Sequence, residues 1–333
     1  MTFPFLALSA VVPSLLLMWY FHARDIFPEP PRALWAVFGL GVLIVIPVLL
    51  VAWPFGGLVG GVASPLVSGA LAAFLQAAIP EEAFKFLVVW RYAARRPEFD
   101  EPMDGVVYGV AASLGFATFE NLAYVADSGL GVAVMRALTA VPSHAFLGAI
   151  MGYYVGRARF VRGEERNRWL MKAFIIPVLL HGVYDFPLLA GVKVRQLDPS
   201  DGPLVVALVS IAPLVVVGEW IWAMRLSRSL RLAQVRNPSI VAEGRSAAPG
   251  RLSSVILTAG GAVAASLGGL MALGLALVLL LGRSEADQVG TLAAGVVLLG
   301  LTPLAAGTAV FAWGITRLNE SGRRTGRGNL SDP

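Results

Sequence analysis

Two adjacent glutamates and a lysine lie inside an apolar stretch of the chain. Glu81, Glu82 and Lys85 interrupt a hydrophobic run from Leu71 to Trp90. An ionisable side chain within a membrane is costly, faces the interior of a helix bundle and by default marks a functional site. Carboxylates can hold a metal ion or transfer protons during catalysis. The sequence should therefore contain further polar side chains that meet this pair.

Other titratable side chains occur in the apolar segments that follow. They include Glu120, Tyr124, His144, His181 and Asp185. Three pairs are spaced four residues apart, which places both members on one face of a helix. The pairs are Glu81 with Lys85, Glu120 with Tyr124, and His181 with Asp185. At about 1.5 Å rise per residue, the glutamate pair and both histidines come to the same depth, so adjacent helices could bring them together.

Two carboxylates and two histidines form a ligand set suited to catalytic zinc. Histidine nitrogens and a carboxylate oxygen bind Zn²⁺ while water takes the fourth position. A second glutamate could accept a proton from that water, and the resulting hydroxide could attack a peptide carbonyl. The chain has no cysteine, which excludes thiolate metal sites and cysteine nucleophiles. It also lacks the compact His-Glu-x-x-His spacing of soluble zinc proteases.

The composition indicates that these residues lie in a membrane. Of the 333 residues, 57% are hydrophobic and 14% are charged, and the mean hydropathy is +0.73. A water-soluble domain needs more polar surface than this. We therefore predict a multi-pass protein of the cell membrane, in contact with the lipid bilayer. The net charge of +5 does not indicate a nucleic-acid partner, because the basic residues are distributed according to membrane topology.

A helix needs roughly 20 residues to cross a hydrocarbon core of about 30 Å. By this length, the apolar runs of the chain predict nine spans. The spans are 4–21, 33–53, 69–91, 105–126, 133–156, 169–191, 203–224, 252–281 and 289–316. With the N-terminus outside, the inner segments contain twenty Lys and Arg residues and the outer segments three. We predict an all-α transmembrane bundle with a cytoplasmic C-terminus. The third span could alternatively lie at 58–79.

These spans suggest four parts of the chain. Residues 1–225 form a membrane core whose motif-bearing helices lie at 69–191, residues 226–251 form a basic cytoplasmic linker, residues 252–316 form two additional transmembrane helices, and residues 317–333 form a disordered basic tail.

Arg136 lies near the end of a predicted span. We expect its long side chain to reach the membrane surface.

Four short motifs resemble those of the PrsW family of intramembrane proteases, which are relatives of the CAAX prenyl endopeptidases and the bacterial Abi proteins. The motifs are EEAFK at 81–85, FENLAY at 119–124, PSHAFLG at 142–148 and HGVYD at 181–185. The resemblance covers about residues 1–225 and implies an integral membrane metallopeptidase that cleaves membrane-associated proteins. The family's founding member starts the regulated proteolysis of an anti-sigma factor, so the expected substrate is a membrane regulator of that kind.

The resemblance also assigns roles by position. The family's essential glutamates fall on Glu81 and Glu82, and its histidines fall on His144 and His181. In one mechanism Glu81 and both histidines bind Zn²⁺, and Glu82 is the general base. In a second, metal-free mechanism, a glutamate and a histidine activate water while His181 and Asp185 stabilise the oxyanion. Lys85, Glu120 and Tyr124 are expected to support the site.

Two other functions could use the same buried residues. A transporter could use them as a proton or ion path, but it would be expected to have two related halves, and the sequence shows no internal repeat. A non-catalytic scaffold would tolerate loss of the histidines. The protease hypothesis requires Glu81 or Glu82, His144 and His181 to converge on a small water-accessible cavity. The sequence does not indicate an oligomeric state.

Overall fold

The computed structural model describes residues 3–198 and 200–236, which lie within one structural unit, Met1–Ser246. All regular secondary structure in this part of the chain is helical, which confirms the predicted all-α class. The α-helices are α1 (Phe3–His22), α2 (Pro31–Leu43), α3 (Val45–Ala52), α4 (Phe55–Gly60), α5 (Pro65–Leu71), α6 (Ile79–Leu87), α7 (Pro102–Leu138), α8 (Ala140–Arg159), α9 (Gly163–Leu197), α10 (Gly202–Val209) and α11 (Ile211–Arg236). Two π-helical segments, Ala72–Ala78 and Val88–Tyr92, flank α6, and a 3₁₀ turn follows at Ala93–Arg95.

Five helical segments in the described part of the chain are long and apolar enough to cross a membrane. They are Pro31–Ala52, Pro102–Tyr124, Val134–Arg159, Gly163–Leu197 and Gly202–Val235. The protein is therefore a multi-pass membrane protein, as predicted. The predicted first span corresponds to α1, and the predicted third span is divided among α5, α6 and the π-helical segments. The count of nine and the orientation of the termini stay predictions, because the last two predicted spans and the tail lie outside the described residues.

Several helices extend beyond their predicted boundaries, among them α7, α9 and α11. α7 continues past position 126 to Leu138, and only Thr139 separates it from α8. Pro142 explains why the break occurs there, because a proline ring clashes with the carbonyl four residues earlier, here that of Leu138. α11 extends to Arg236, into the segment predicted as a linker. The remainder of that linker, from position 237, lies outside the described residues.

Close contact between α7 and α8 forms the centre of the bundle. Glycines on the two helices face each other, and a Cβ added at Gly109 would collide with the carbonyl oxygen of Gly148. A Cβ at Gly152 would likewise collide with the Gly105 carbonyl. Small residues of this kind let helix backbones approach closely in a membrane. The approach brings His144, one turn before Gly148, close to the buried face of α7.

The short helix α6 is held against α9 by an irregular turn. The N–H of Ile79 bonds to the carbonyl of Phe74, five residues earlier, and Pro80 occupies the first turn of α6. Proline has no N–H to donate there, which makes this first turn a favourable place for it. The Phe74 ring lies so close to α9 that a Cβ at Gly182 would collide with it. Glu81 and Glu82 are thereby placed beside His181.

Candidate active site

Three helices bring four potential metal ligands together. Glu81 and Glu82 on α6, His144 on α8 and His181 on α9 each offer one oxygen or nitrogen, and these four atoms lie within 4.8 Å of one another. All four residues are buried, and the two imidazole rings meet edge to face with centroids 5.3 Å apart. This is the convergence that the protease hypothesis requires of these residues.

Lys85 lies at the centre of this cluster. Its Nζ is 3.0 Å from Glu81 Oε2, 2.8 Å from Glu82 Oε1 and 3.1 Å from His144 Nδ1. The side chain is fully buried, so its charge must be compensated by partners of opposite charge. The ammonium group also packs over the ring of Phe116, 4.4 Å from the ring centroid. The position among these three acceptors therefore suits a cation.

Both ring nitrogens of His181 contact carboxylates. Nδ1 is 2.9 Å from Glu82 Oε1, and Nε2 is 3.2 Å from Asp185 Oδ2. Nε2 also lies 3.9 Å from Glu81 Oε2. Asp185 lies one turn along the same helix, as the sequence spacing predicts, and its side chain is 20% exposed. It can therefore orient the imidazole from the rim of the cluster.

His144 connects the cluster to a second ion pair. Its Nε2 is 3.0 Å from Glu120 Oε2, and the same oxygen is 2.8 Å from a guanidinium nitrogen of Arg136. Arg136 was expected to reach the membrane surface, and the structure shows its guanidinium paired with Glu120 on the bundle. Its guanidinium also lies over the ring of Tyr124, 4.0 Å from the centroid. Tyr124 is thus placed against Arg136, and its side chain is exposed.

Sequence reasoning missed Glu219 on α11. This residue is 1% exposed, and its carboxylate lies close to the Ser143 hydroxyl of α8. α11 packs against α8 and α9, which places Glu219 close enough to His181 for their charges to interact. A charged residue within the apolar run 203–224 was a sufficient signal, since the same rule identified Glu81 and Glu82.

The residues present fit a catalytic zinc ion by the chemistry of their donors. Two imidazoles and two carboxylates are the nitrogen and oxygen ligands that catalytic zinc uses. Glu82 Oε2 is buried and has no hydrogen-bond partner among the described residues, so an oxygen atom in the cluster is available. His144 Nε2 donates to Glu120 when Nδ1 accepts from Lys85. In this tautomer Nδ1 carries the lone pair that could bind a metal.

Comparisons with known proteins identify a family for the chain. A family profile described as PrsW family intramembrane metalloprotease matches residues 29–217. The chain is similar to Protease PrsW of Geobacillus kaustophilus (strain HTA426), with 42% identity over 183 residues, 55% of this chain and 79% of that protein. Protease PrsW of Bacillus subtilis (strain 168) is 38% identical over 55% of this chain and 82% of its own length. Protease PrsW of Clostridioides difficile (strain 630) is 32% identical over 55% and 79%. No solved structure gives a significant match.

Proposed function

Because the chain belongs to the PrsW family of intramembrane metalloproteases, we propose that it hydrolyses peptide bonds of membrane proteins at the cluster of Glu81, Glu82, His144 and His181. The observation that carries the proposal is the convergence of these four donors, from three helices, within 4.8 Å. The protease unit corresponds to residues 1–225, and the family profile covers 29–217 of them. The predicted helices at 252–316 have no assigned role in this reaction.

Glu81, His144 and His181 would hold the metal, which we take to be Zn²⁺. A bound zinc ion supplies a nucleophilic water at neutral pH and polarises the carbonyl of the scissile bond. Asp185 orients His181 through its contact with Nε2. Glu120 orients His144 in the same way on the other side of the cluster. Such partners fix the ring orientation and the tautomer of a ligating histidine.

Glu82 is the group best placed to move the proton. Its Oε1 accepts a hydrogen bond of 2.8 Å from Lys85 Nζ, whereas Oε2 is buried and accepts no hydrogen bond from the described residues. One oxygen therefore fixes the carboxylate, and the other is available to accept a proton from water. The same oxygen can return the proton to the leaving amine, as a general base and then a general acid must.

Water and substrate would reach the cluster from the side of Asp185 and Glu120. Their side chains are 20% and 22% exposed, whereas those of Glu82 and Lys85 are fully buried. The substrate would be a membrane-anchored regulatory protein such as an anti-sigma factor, since this is the expectation that the family resemblance supports. A segment of such a protein must unfold locally to present a peptide carbonyl to this rim.

Cleavage of candidate membrane substrates, co-reconstituted with the purified full chain in liposomes, tests this proposal. The variants Glu82→Gln and His181→Ala should lose cleavage, and Glu164→Gln, which removes an exposed carboxylate at the start of α9, should retain it. Chelation should abolish wild-type cleavage, and Zn²⁺ should restore it.

The possible outcomes separate the two mechanisms. If both site variants cleave like wild type, the site assignment is wrong. If both are inactive but chelators have no effect on wild type, the metal-free mechanism is correct, and His181 with Asp185 then stabilises the oxyanion.

A further inference from the structure

A second group of buried carboxylates lies at the N-terminal end of α7. Asp25 from the α1–α2 loop, Glu101 just before α7, and Asp104 in its first turn each offer an oxygen atom, and these atoms lie within 4.8 Å of one another. Asp104 is sixteen residues before Glu120 on the same helix, which corresponds to about 24 Å. The group, here called the Asp25 cluster, is therefore separate from the candidate active site.

Helix capping explains part of the Asp25 cluster. Asp104 Oδ2 accepts hydrogen bonds of 2.8 Å from the N–H groups of Asp100 and Glu101, and the Glu101 side chain accepts from the backbone at Asp104. This reciprocal arrangement is a capping box, with Pro102 at the first helical position. A cap needs one acceptor oxygen from each side chain. It does not explain why Asp25 is brought to the same place.

Two buried oxygen atoms of the cluster accept no hydrogen bond from an N–H or hydroxyl group among the described residues. Asp104 is fully buried, and its Oδ1 is one of them. Asp25 is 1% exposed, and its Oδ2 is the other, since Oδ1 accepts from the Phe27 N–H and from Gln234 Nε2. Gln234, 7% exposed at the end of α11, also has a carbonyl oxygen without a partner. A bound cation would satisfy these buried acceptors, since it accepts their lone pairs.

Negative charge is concentrated here, with the imidazole of His22 as a basic group near Asp25. Within residues 3–198 and 200–236, the three carboxylates contact backbone N–H groups, the Gln234 amide and one another, and none of them forms an ion pair with lysine or arginine. Burial and the neighbouring Asp25 raise the pKa of Glu101 to about 8, and burial raises the pKa of Asp25 to about 6. Several ionised carboxylates can remain buried together only if a cation joins them.

We infer that the Asp25 cluster binds a divalent cation through oxygen atoms alone, with Asp25, Glu101 and Asp104 as ligands. Carboxylate and amide oxygens without nitrogen or sulfur donors are the ligand set of Mg²⁺ and Ca²⁺. The amide of Gln234 would turn to present its carbonyl oxygen, which replaces two hydrogen bonds by a contact to the metal. Glu29, whose carboxylate accepts from the buried Tyr108 hydroxyl, lies beside Asp104 and can complete the site.

The bound cation would tie three parts of the chain to one another. They are the α1–α2 loop, the start of α7 and the end of α11, which are far apart in sequence. Each belongs to a segment that the sequence predicts on the inner side of the membrane. Because the ion binds the folded arrangement and not the unfolded chain, it would stabilise the protein by mass action.

Calorimetric titration and thermal unfolding of the full chain in detergent, after removal of metals by chelation, test this inference. Mg²⁺ and Ca²⁺ are titrated separately, so that the two ions are distinguished. For wild type we expect saturable binding and a rise in Tm of about 5 °C at a cation concentration a hundredfold above Kd. Asp25→Asn and Asp104→Asn should each weaken binding at least about tenfold. Glu98→Gln is the matched control, because it removes a carboxylate from the same loop that pairs instead with Arg96.

The variants Asp25→Asn and Glu82→Gln distinguish cation binding at this cluster from loss of folding and from binding at the active site. Asp25→Asn mimics the protonated acid, so without cation this variant should be at least as stable as wild type while losing its response to cation. Glu82→Gln should leave Mg²⁺ and Ca²⁺ binding unchanged, which separates this site from the active site whether or not the proposed protease activity is correct. Absence of binding to wild type would overturn the inference and show that the carboxylates share protons. Binding that only Glu82→Gln removes would overturn it as well.

Discussion

Replacement of Glu120 by glutamine is expected to slow peptide-bond hydrolysis without unfolding the protein. A single oxygen, Glu120 Oε2, joins His144 at 3.0 Å to Arg136 at 2.8 Å. Glutamine keeps the shape of the side chain but removes its charge, so His144 loses the carboxylate that fixes its ring and tautomer. Loss of such a partner costs about 10-fold to 100-fold in activity or metal affinity, which is about 1.4 to 2.7 kcal/mol of transition-state stabilisation.

The direct cost in stability should be smaller than the cost in activity. The side chains of Arg136 and Glu120 are 15% and 22% exposed, and partly exposed ion pairs contribute about 1 kcal/mol or less. The pair of Arg96 and Glu98 is a matched control, since its side chains are 21% and 20% exposed and it lies at 3.1 Å in a loop. Glu98→Gln should change stability to a similar extent and leave the cleavage rate unchanged.

Measurement of kcat and KM in proteoliposomes for wild type, Glu120→Gln, Arg136→Gln and the double variant tests the reasoning. Both single substitutions act through the same oxygen, Glu120 Oε2. The kcat of the double variant should therefore be only slightly lower than that of the less active single variant. The loss should appear in kcat, because neither residue is proposed to bind substrate. If Glu120→Gln has the kcat of wild type, the account of His144 orientation is wrong. The same holds if the fold-losses in kcat of the two single variants multiply in the double variant.

Three further predictions concern the active site, the helix packing and the Asp25 cluster. Glu82→Gln should lower kcat by about 10²-fold to 10⁴-fold while zinc content, measured by elemental analysis, stays near that of wild type. Gly152→Leu should prevent recovery of monodisperse protein in size-exclusion chromatography, because its Cβ would collide with the α7 backbone, whereas Gly39→Leu, which has open space, should not. In excess chelator, Tm should fall as the pH rises from about 5 to 8, because the pKa values of Asp25 and Glu101 are raised by burial and ionisation then favours the unfolded chain. A Tm that rises over this range would contradict the last prediction.

Much of the candidate site followed from local spacing and depth. Glu81 with Lys85, and His181 with Asp185, are contacts between residues four apart on one helix, and helical geometry makes such pairs predictable. The similar depth of the glutamates and histidines also followed from counting residues along predicted spans. These features depend on one helix at a time, which is why sequence alone was sufficient.

The contacts that sequence reasoning missed depend on how helices face each other. Arg136 lies near the end of a predicted span, a position that suits a side chain reaching toward water. Its pairing with Glu120 depends on the continuation of α7 beyond the predicted boundary, which turns both residues toward His144. The Lys85 contact with His144 likewise joins α6 to α8. No spacing rule within a single helix encodes either contact.

The two ionisable clusters differ in donor chemistry, and this difference makes their metal requirements separable. The active site combines imidazole nitrogens with carboxylates, which suits zinc, whereas the Asp25 cluster offers oxygen atoms alone, which suits magnesium or calcium. After complete chelation, Zn²⁺ should therefore restore cleavage in protein that is still folded, and Mg²⁺ or Ca²⁺ should restore thermal stability without restoring cleavage. If a single ion restored both properties at the same concentration, the assignment of different metals to the two clusters would be wrong.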